Sequence, residues 1–181
     1  MQTVVSCSFG KDSIAAAITH IQHGGTVDLA VYCRIMYDNH TSAEMPEHEE
    51  WIHSVAIPKL ERDWGIKTAV VQAPITYKGQ FYRQYKRGQK AGGIYGFPFL
   101  KGSWCNSKLK VEVVEAYKKQ VGDHKEIIGL AIDEGRRMPG KRKDPRVILP
   151  LVEHQITQKQ SMEIARNAGL LSPAYGGGHR D

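Results

Sequence analysis

Cysteine is scarce in this 181-residue chain: Cys7, Cys33 and Cys105 stand far apart, with no Cys-x-x-Cys spacing. That argues against a disulfide framework or a cysteine-built zinc site, and the three read as reduced thiols. Long apolar runs are missing too, since none approaches the roughly 20 residues a spanning helix needs, so no membrane partner is expected. The amino end, Met1-Gln2-Thr3-Val4-Val5, has neither the basic stretch nor the long apolar core of a signal peptide, and a cytoplasmic location is expected. There is no internal repeat and no low-complexity linker. What remains is ordinary globular composition, 41% hydrophobic and 24% charged, of a length that suits one α/β domain over residues 1–175. The formal charge of +6 suits a polyanion, whether nucleotide or nucleic acid. Basic residues gather at Lys78 to Lys90 and at Arg136 to Arg146; as solvated loops they would need no ligand.

Along the chain, strand-like and helix-like patterns alternate. Thr3 to Cys7 is a short valine-rich run that enters a turn-like Ser-Phe-Gly and then a helical pattern of Ile14, Ala15, Ala17, Ile18 and Ile21. Gly24-Gly25 ends that helix, and Asp28 to Met36 gives a second strand. Pro46 to Trp64 carries apolar residues at helical spacing, with Pro58 expected to kink or divide the helix. Ile66 to Gln72 is a third strand, and Pro74 to Ser103 reads as a long irregular loop rich in glycine, aromatics and lysine or arginine. Lys108 to Val121 is a helix, Glu126 to Ile132 a fourth strand and Val147 to Leu149 a short fifth. Thr157 to Ala168, closed by Gly169, is a helix with Thr157 as N-cap. This order predicts an α/β fold: a mostly parallel five-stranded sheet, Rossmann-like, with helices on both faces.

The segment Ser8-Phe9-Gly10-Lys11-Asp12-Ser13 sits where the first strand meets the first helix. Backbone N–H groups converge there, and the helix dipole favours an anion. Gly10 permits close approach, Ser8 and Ser13 carry hydroxyl donors, and Lys11 supplies charge. Asp12 suits a helix cap or a magnesium ion held through water. A plain capped turn would use the same residues. The spacing matches neither a Walker A loop nor Gly-x-Gly-x-x-Gly.

The loop resembles the Ser-Gly-Gly-x-Asp-Ser loop of PP-loop ATP pyrophosphatases, in the lysine-bearing variant of the phosphoadenosine phosphosulfate (PAPS) reductase branch. Phe9 replaces the first glycine, which implies a backbone angle there that a bulky residue can adopt. Further segments agree in order: Tyr37-Asp38-Asn39 with Glu44-Met45-Pro46-Glu47; Trp104-Cys105-Asn106 with Leu109-Lys110; Gly129 to Arg137; Leu149-Pro150-Leu151; and Gly169 to Tyr175.

The resemblance implies an enzyme that binds an adenine nucleotide, ATP with Mg2+, and cleaves it between the α and β phosphates. An acceptor is adenylated and pyrophosphate leaves; the acceptor's identity stays open, nucleic acid included. Lys11 and Arg137, then Arg136, are the expected catalytic cations. Ser8 to Ser13 and Asp38 are the expected nucleotide contacts, and Asp12, Asp133 and Glu134 the expected Mg2+ ligands. Asp38 equally fits a turn-forming Asp-Asn, and Asp133 and Glu134 equally fit exposed loop carboxylates. The alternatives are a PAPS or adenosine phosphosulfate reductase using a partner's thiol, or a non-catalytic nucleotide or nucleic-acid binding module. The reductase Glu-Cys-Gly-Leu-His segment is absent, and Ala131 stands where that branch often has arginine. Residues 176–181 are expected to be a flexible tail leading into the cysteine-bearing segment of longer members.

Overall fold

The computed structural model of the protein describes residues 1–98, 103–134 and 144–176. In chain order the elements are β1 (Gln2–Ser6), α1 (Lys11–Gln22), β2 (Leu29–Arg34), α2 (Pro46–Trp51), α3 (Ile57–Trp64), β3 (Lys67–Gln72), α4 (Tyr77–Phe81), α5 (Trp104–Asn106), α6 (Glu112–Val121), β4 (His124–Ile127), β5 (Val147–Ile148), α7 (Pro150–Glu153) and α8 (Gln158–Asn167). The strands form one five-stranded sheet in the order β3-β2-β1-β4-β5. Every pairing is parallel, so the α/β, Rossmann-like expectation holds.

The period-two alternation of the strands sends side chains to two apolar layers. Val5 and Cys7 of the first strand's run and Ala30 and Tyr32 of β2 join α1, α3 and α8 in one buried cluster. Val4, Val31 and Cys33 point the other way and pack with Val114 of α6. Helices therefore cover both faces, as near-continuous apolar strands require. Helix α1 is buried over seven consecutive residues, Ser13 to Thr19, three of them alanines. Small side chains all round allow it to lie between the sheet and α8.

Three elements differ from their sequence patterns. The helical run 46–64 continues through Pro58, because a π-helical turn at Ile52–Ala56 precedes it. A widened turn accommodates a ring that lacks the N–H and crowds the preceding carbonyl. The fourth strand starts two residues earlier than its apolar run and ends at Ile127, its hydrogen bonds being set by β1 and β5 rather than by hydropathy. The long segment after β3 is not irregular throughout. It holds the one-turn helix α4, capped by Thr76, and a hairpin in which Tyr95 N–H donates to the Arg83 carbonyl and Tyr85 N–H to the Gly93 carbonyl, both at 2.9 Å. Among the described residues no helix is long and apolar enough to cross a membrane.

Candidate functional site

In the order 3-2-1-4-5 the connections leave β1 in one direction and β4 in the other, so a crevice opens between their carboxyl ends. A cavity of about 300 Å³ lies there, lined in part by Ser8, Gly10, Asp12, Lys110, Gly129 and Tyr175. Its floor is a close crossing of two backbones. A Cβ on Gly129 would lie 2.6 Å from the Asp12 carbonyl group and the Ser13 nitrogen, so only glycine lets β4's end approach the start of α1.

Phe9 shapes the loop from beneath. Its φ is 55°, the left-handed region that costs a non-glycine residue roughly 1–2 kcal/mol. The angle is thus the glycine-like one of the motif the loop resembles, and not one that a bulky residue adopts without strain. Complete burial of the ring, edge-on to Tyr32 at 5.3 Å and to Trp51 at 6.5 Å, offsets that strain. Phe9 can offer the cavity only its backbone.

Helix α1 begins without a side-chain cap, Gly10 being its N-cap. Neutral hydroxyls hold two loop donors at the outer limit of hydrogen bonding: Lys11 N–H to Tyr175 Oη and Gly10 N–H to Ser8 Oγ, each 3.4 Å. Ser13 is committed internally, donating to the Gly10 carbonyl at 3.0 Å and accepting from Cys7 Sγ. The Lys11 ammonium is 2.7 Å from Asp12 Oδ2 and 3.4 Å from Gln158 Oε1, and it does not line the cavity. Its effect is to orient Asp12, whose buried Oδ1 has no hydrogen-bond partner.

Other expected site residues lie apart or beyond the described chain. Asp38 Oδ1 accepts from His40 N–H at 3.0 Å and Thr41 N–H at 2.9 Å, and the first of these bonds contributes most to holding its carboxyl below the usual range. That is the turn-forming role, in a different cleft with Thr76 and Lys78. Asp133 accepts from Gln158 N–H at 3.1 Å, adding to the Thr157–Gln160 capping box at the start of α8. Glu134 does line the cavity, with Oε2 3.3 Å from Ala131 N–H. Arg136 and Arg137 fall outside the described residues, as do residues 177–181 of the expected tail.

Two further residues line the cavity from the Leu-Lys and Pro-x-Tyr segments, neither of them expected as a site residue from sequence. Lys110 reaches the cavity just ahead of α6, and Tyr175 closes it from a short 3-10 turn (Pro173–Tyr175). His48 fixes that turn through a 2.7 Å bond to Ser172 Oγ. Their signal lies in the Leu-Lys and Pro-x-Tyr motifs, whereas the sequence pattern points to the loop's own Lys11. The two thiols at the cavity are unreactive in this setting. Burial pushes Cys7 upward and Cys33 up to about 11, so both stay protonated near neutral pH.

Among the described residues no group of three or more His, Cys, Asp or Glu side chains converges as a metal site. Fold and cavity together define an α/β protein with a cleft at the switch point of a parallel sheet. No model of a known protein family matches the chain, and no curated protein matches it.

Proposed function

We propose that the chain binds ATP with Mg2+ at the β1–β4 crevice and cleaves it between the α and β phosphates. The adenylate passes to an acceptor and pyrophosphate is released, as the PP-loop resemblance implies. The observation that supports this reading is the meeting, at one cavity, of an uncapped helix start with Asp12, whose buried Oδ1 has no hydrogen-bond partner. The N–H groups favour an anion, while Asp12 and Glu134 would repel a bare one. A phosphate chain accompanied by a divalent cation satisfies both demands, because Mg2+ is commonly held by one or two carboxylates together with substrate phosphates.

Asp12 and Glu134 are the residues that would hold Mg2+, which would supply charge neutralisation on the phosphate oxygens. Lys110, with no ion-pair partner among the described residues, is the side-chain cation available to the leaving pyrophosphate. Lys11 acts as a positioning residue for Asp12, and Arg136 and Arg137 remain further candidate cations. The raised thiols weigh against sulfonucleotide chemistry at Cys7 or Cys33.

The test is product analysis with ATP, Mg2+ and water standing in as acceptor. AMP and pyrophosphate are expected. Lys110→Ala should lower the rate by about 10²- to 10³-fold with thermal unfolding unchanged. ADP and phosphate as products, or a Lys110→Ala rate equal to that of the parent, would sink the reading.

A further inference from the structure

Between Trp64 and Val111 the sequence has nine lysines and arginines and not one aspartate or glutamate. The hairpin at 83–95 concentrates this charge: Arg83, Lys86, Arg87 and Lys90 are all exposed. Like charges packed on a short ribbon repel one another, and no carboxylate within the segment relieves them. Such a surface gains free energy by meeting an external polyanion.

Aromatic rings are interleaved with these cations. Tyr85 and Tyr95 stack at 4.2 Å with their planes 8° apart, and Arg83 and Lys90 lie over the Tyr95 and Tyr85 rings at 5.5 and 5.8 Å. At the base of the hairpin, Phe81 packs edge-on against both Tyr82 and Phe97, at 4.8 and 4.9 Å. Those two rings are 61% and 75% exposed. They are supported from one side by Phe81 and open to solvent on the other.

We infer that this basic, aromatic hairpin is a binding surface for single-stranded nucleic acid, with bases stacking on Tyr82 and Phe97 and phosphates meeting the four cations. Unpaired bases present the flat π faces that exposed rings accept, which duplex nucleic acid keeps stacked internally. An anionic bilayer is less well matched, because the hairpin offers rings and arginines without an amphipathic helix to lie in the interface.

The surface also has the right address. The segment leaves the carboxyl end of β3 and is tied to the loop after β2 by Tyr77 N–H to the Met36 carbonyl, 2.8 Å, and Lys78 N–H to the Tyr37 carbonyl, 2.9 Å. Trp104, whose Nε1–H donates to the Gly96 carbonyl at 3.2 Å, joins it to the helical run that carries Lys110. A strand held on the hairpin therefore lies along the same carboxyl edge as the cavity. That the strand is the adenylated acceptor rests on the proposed function; that it binds does not.

The experiment is fluorescence anisotropy of the full chain with labelled oligothymidylate and oligouridylate of about 12 nucleotides, within the site sizes of stacking platforms, in the absence of ATP. Binding is expected to weaken with salt, with a log–log slope near −3 for four phosphates neutralised on a single strand. Arg83→Gln/Arg87→Gln should flatten that slope to about half. Phe97→Ala should weaken binding by roughly 5- to 100-fold at unchanged salt dependence. Circular dichroism of each variant is expected to match the parent, with melting shifted only slightly, since every substituted residue is exposed and its contacts lie within the hairpin. Absence of binding, equal affinity for a duplex of the same length, or preference for anionic vesicles over the oligonucleotides would each overturn the inference. Failure of ATP cleavage would leave it standing.

Discussion

The loop at 8–13 and the hairpin at 83–95 meet the same edge of the sheet, and they are held in shape by opposite means. The loop contains a strained residue, Phe9 with φ of 55°, and keeps it by burying the ring completely in the main core. The hairpin buries little; ring stacking, a few backbone bonds and left-handed glycines at Gly88, Gly92 and Gly96 define it. Geometry that has to be fixed to within fractions of an ångström is anchored in the core, where packing is close to crystalline. A surface that has to follow a partner's contour is built from turns and rings.

Breaking the loop's anchor should produce the largest effect and also an inversion. Phe9→Ala is expected to cost about 3–5 kcal/mol, the range for emptying a buried aromatic site. At most positions glycine would be worse than alanine by roughly 0.5–1 kcal/mol. Here alanine retains the left-handed penalty and glycine relieves it, so Phe9→Gly should be no more destabilising than Phe9→Ala. Urea unfolding of the two variants decides this. If alanine proves clearly the more stable, the left-handed angle at residue 9 is wrong.

Gly129→Ala comes next. The added methyl would meet backbone atoms of Asp12 and Ser13 at 2.6 Å, and neither the end of β4 nor the start of α1 can give way as a flexible side chain would. A loss of about 1–3 kcal/mol is expected from overpacking, with ATP binding reduced further than stability because the clash falls on the cavity floor. The two measurements are denaturant unfolding and nucleotide titration. A variant as stable as the parent would show that the close crossing is not a constraint.

The contrast between the two regions also explains what could be read from sequence. The alternation of strands and helices and the helix at Thr157 were legible because valine-rich runs, a capping residue and a terminal glycine are local signals, whereas the order of strands in the sheet came only with the fold. The start of a helix directly after the loop at 8–13 was legible for the same reason. That Lys11 turns aside to Asp12 and Gln158 while Lys110 reaches the cavity was not legible, since Gln158 lies 147 residues from Lys11 and only folding brings them together. Phe9 in a glycine conformation could not be read either, because its compensation comes from Tyr32 and Trp51 on separate elements. The hairpin reads as loop because its two arms lack apolar alternation; cross-strand bonds and ring stacking hold it, and neither leaves a hydropathy period.

The smallest expected effect sharpens the comparison from the hairpin's side. Lys86 and Arg87 are exposed near the tip, and no ion pair to either occurs among the described residues. Replacing both by glutamine removes two charges from a surface that already repels itself, and it disturbs no buried contact. Stability should therefore change by no more than about 0.5 kcal/mol, in the stabilising direction at low salt. Because salt screens that repulsion, the melting temperature of the parent should rise slightly between low and physiological ionic strength, and that rise should shrink in Lys86→Gln/Arg87→Gln. A loss comparable with that of Phe9→Ala would mean that the hairpin, like the loop, is anchored through the core, and the division of labour along this edge would fall.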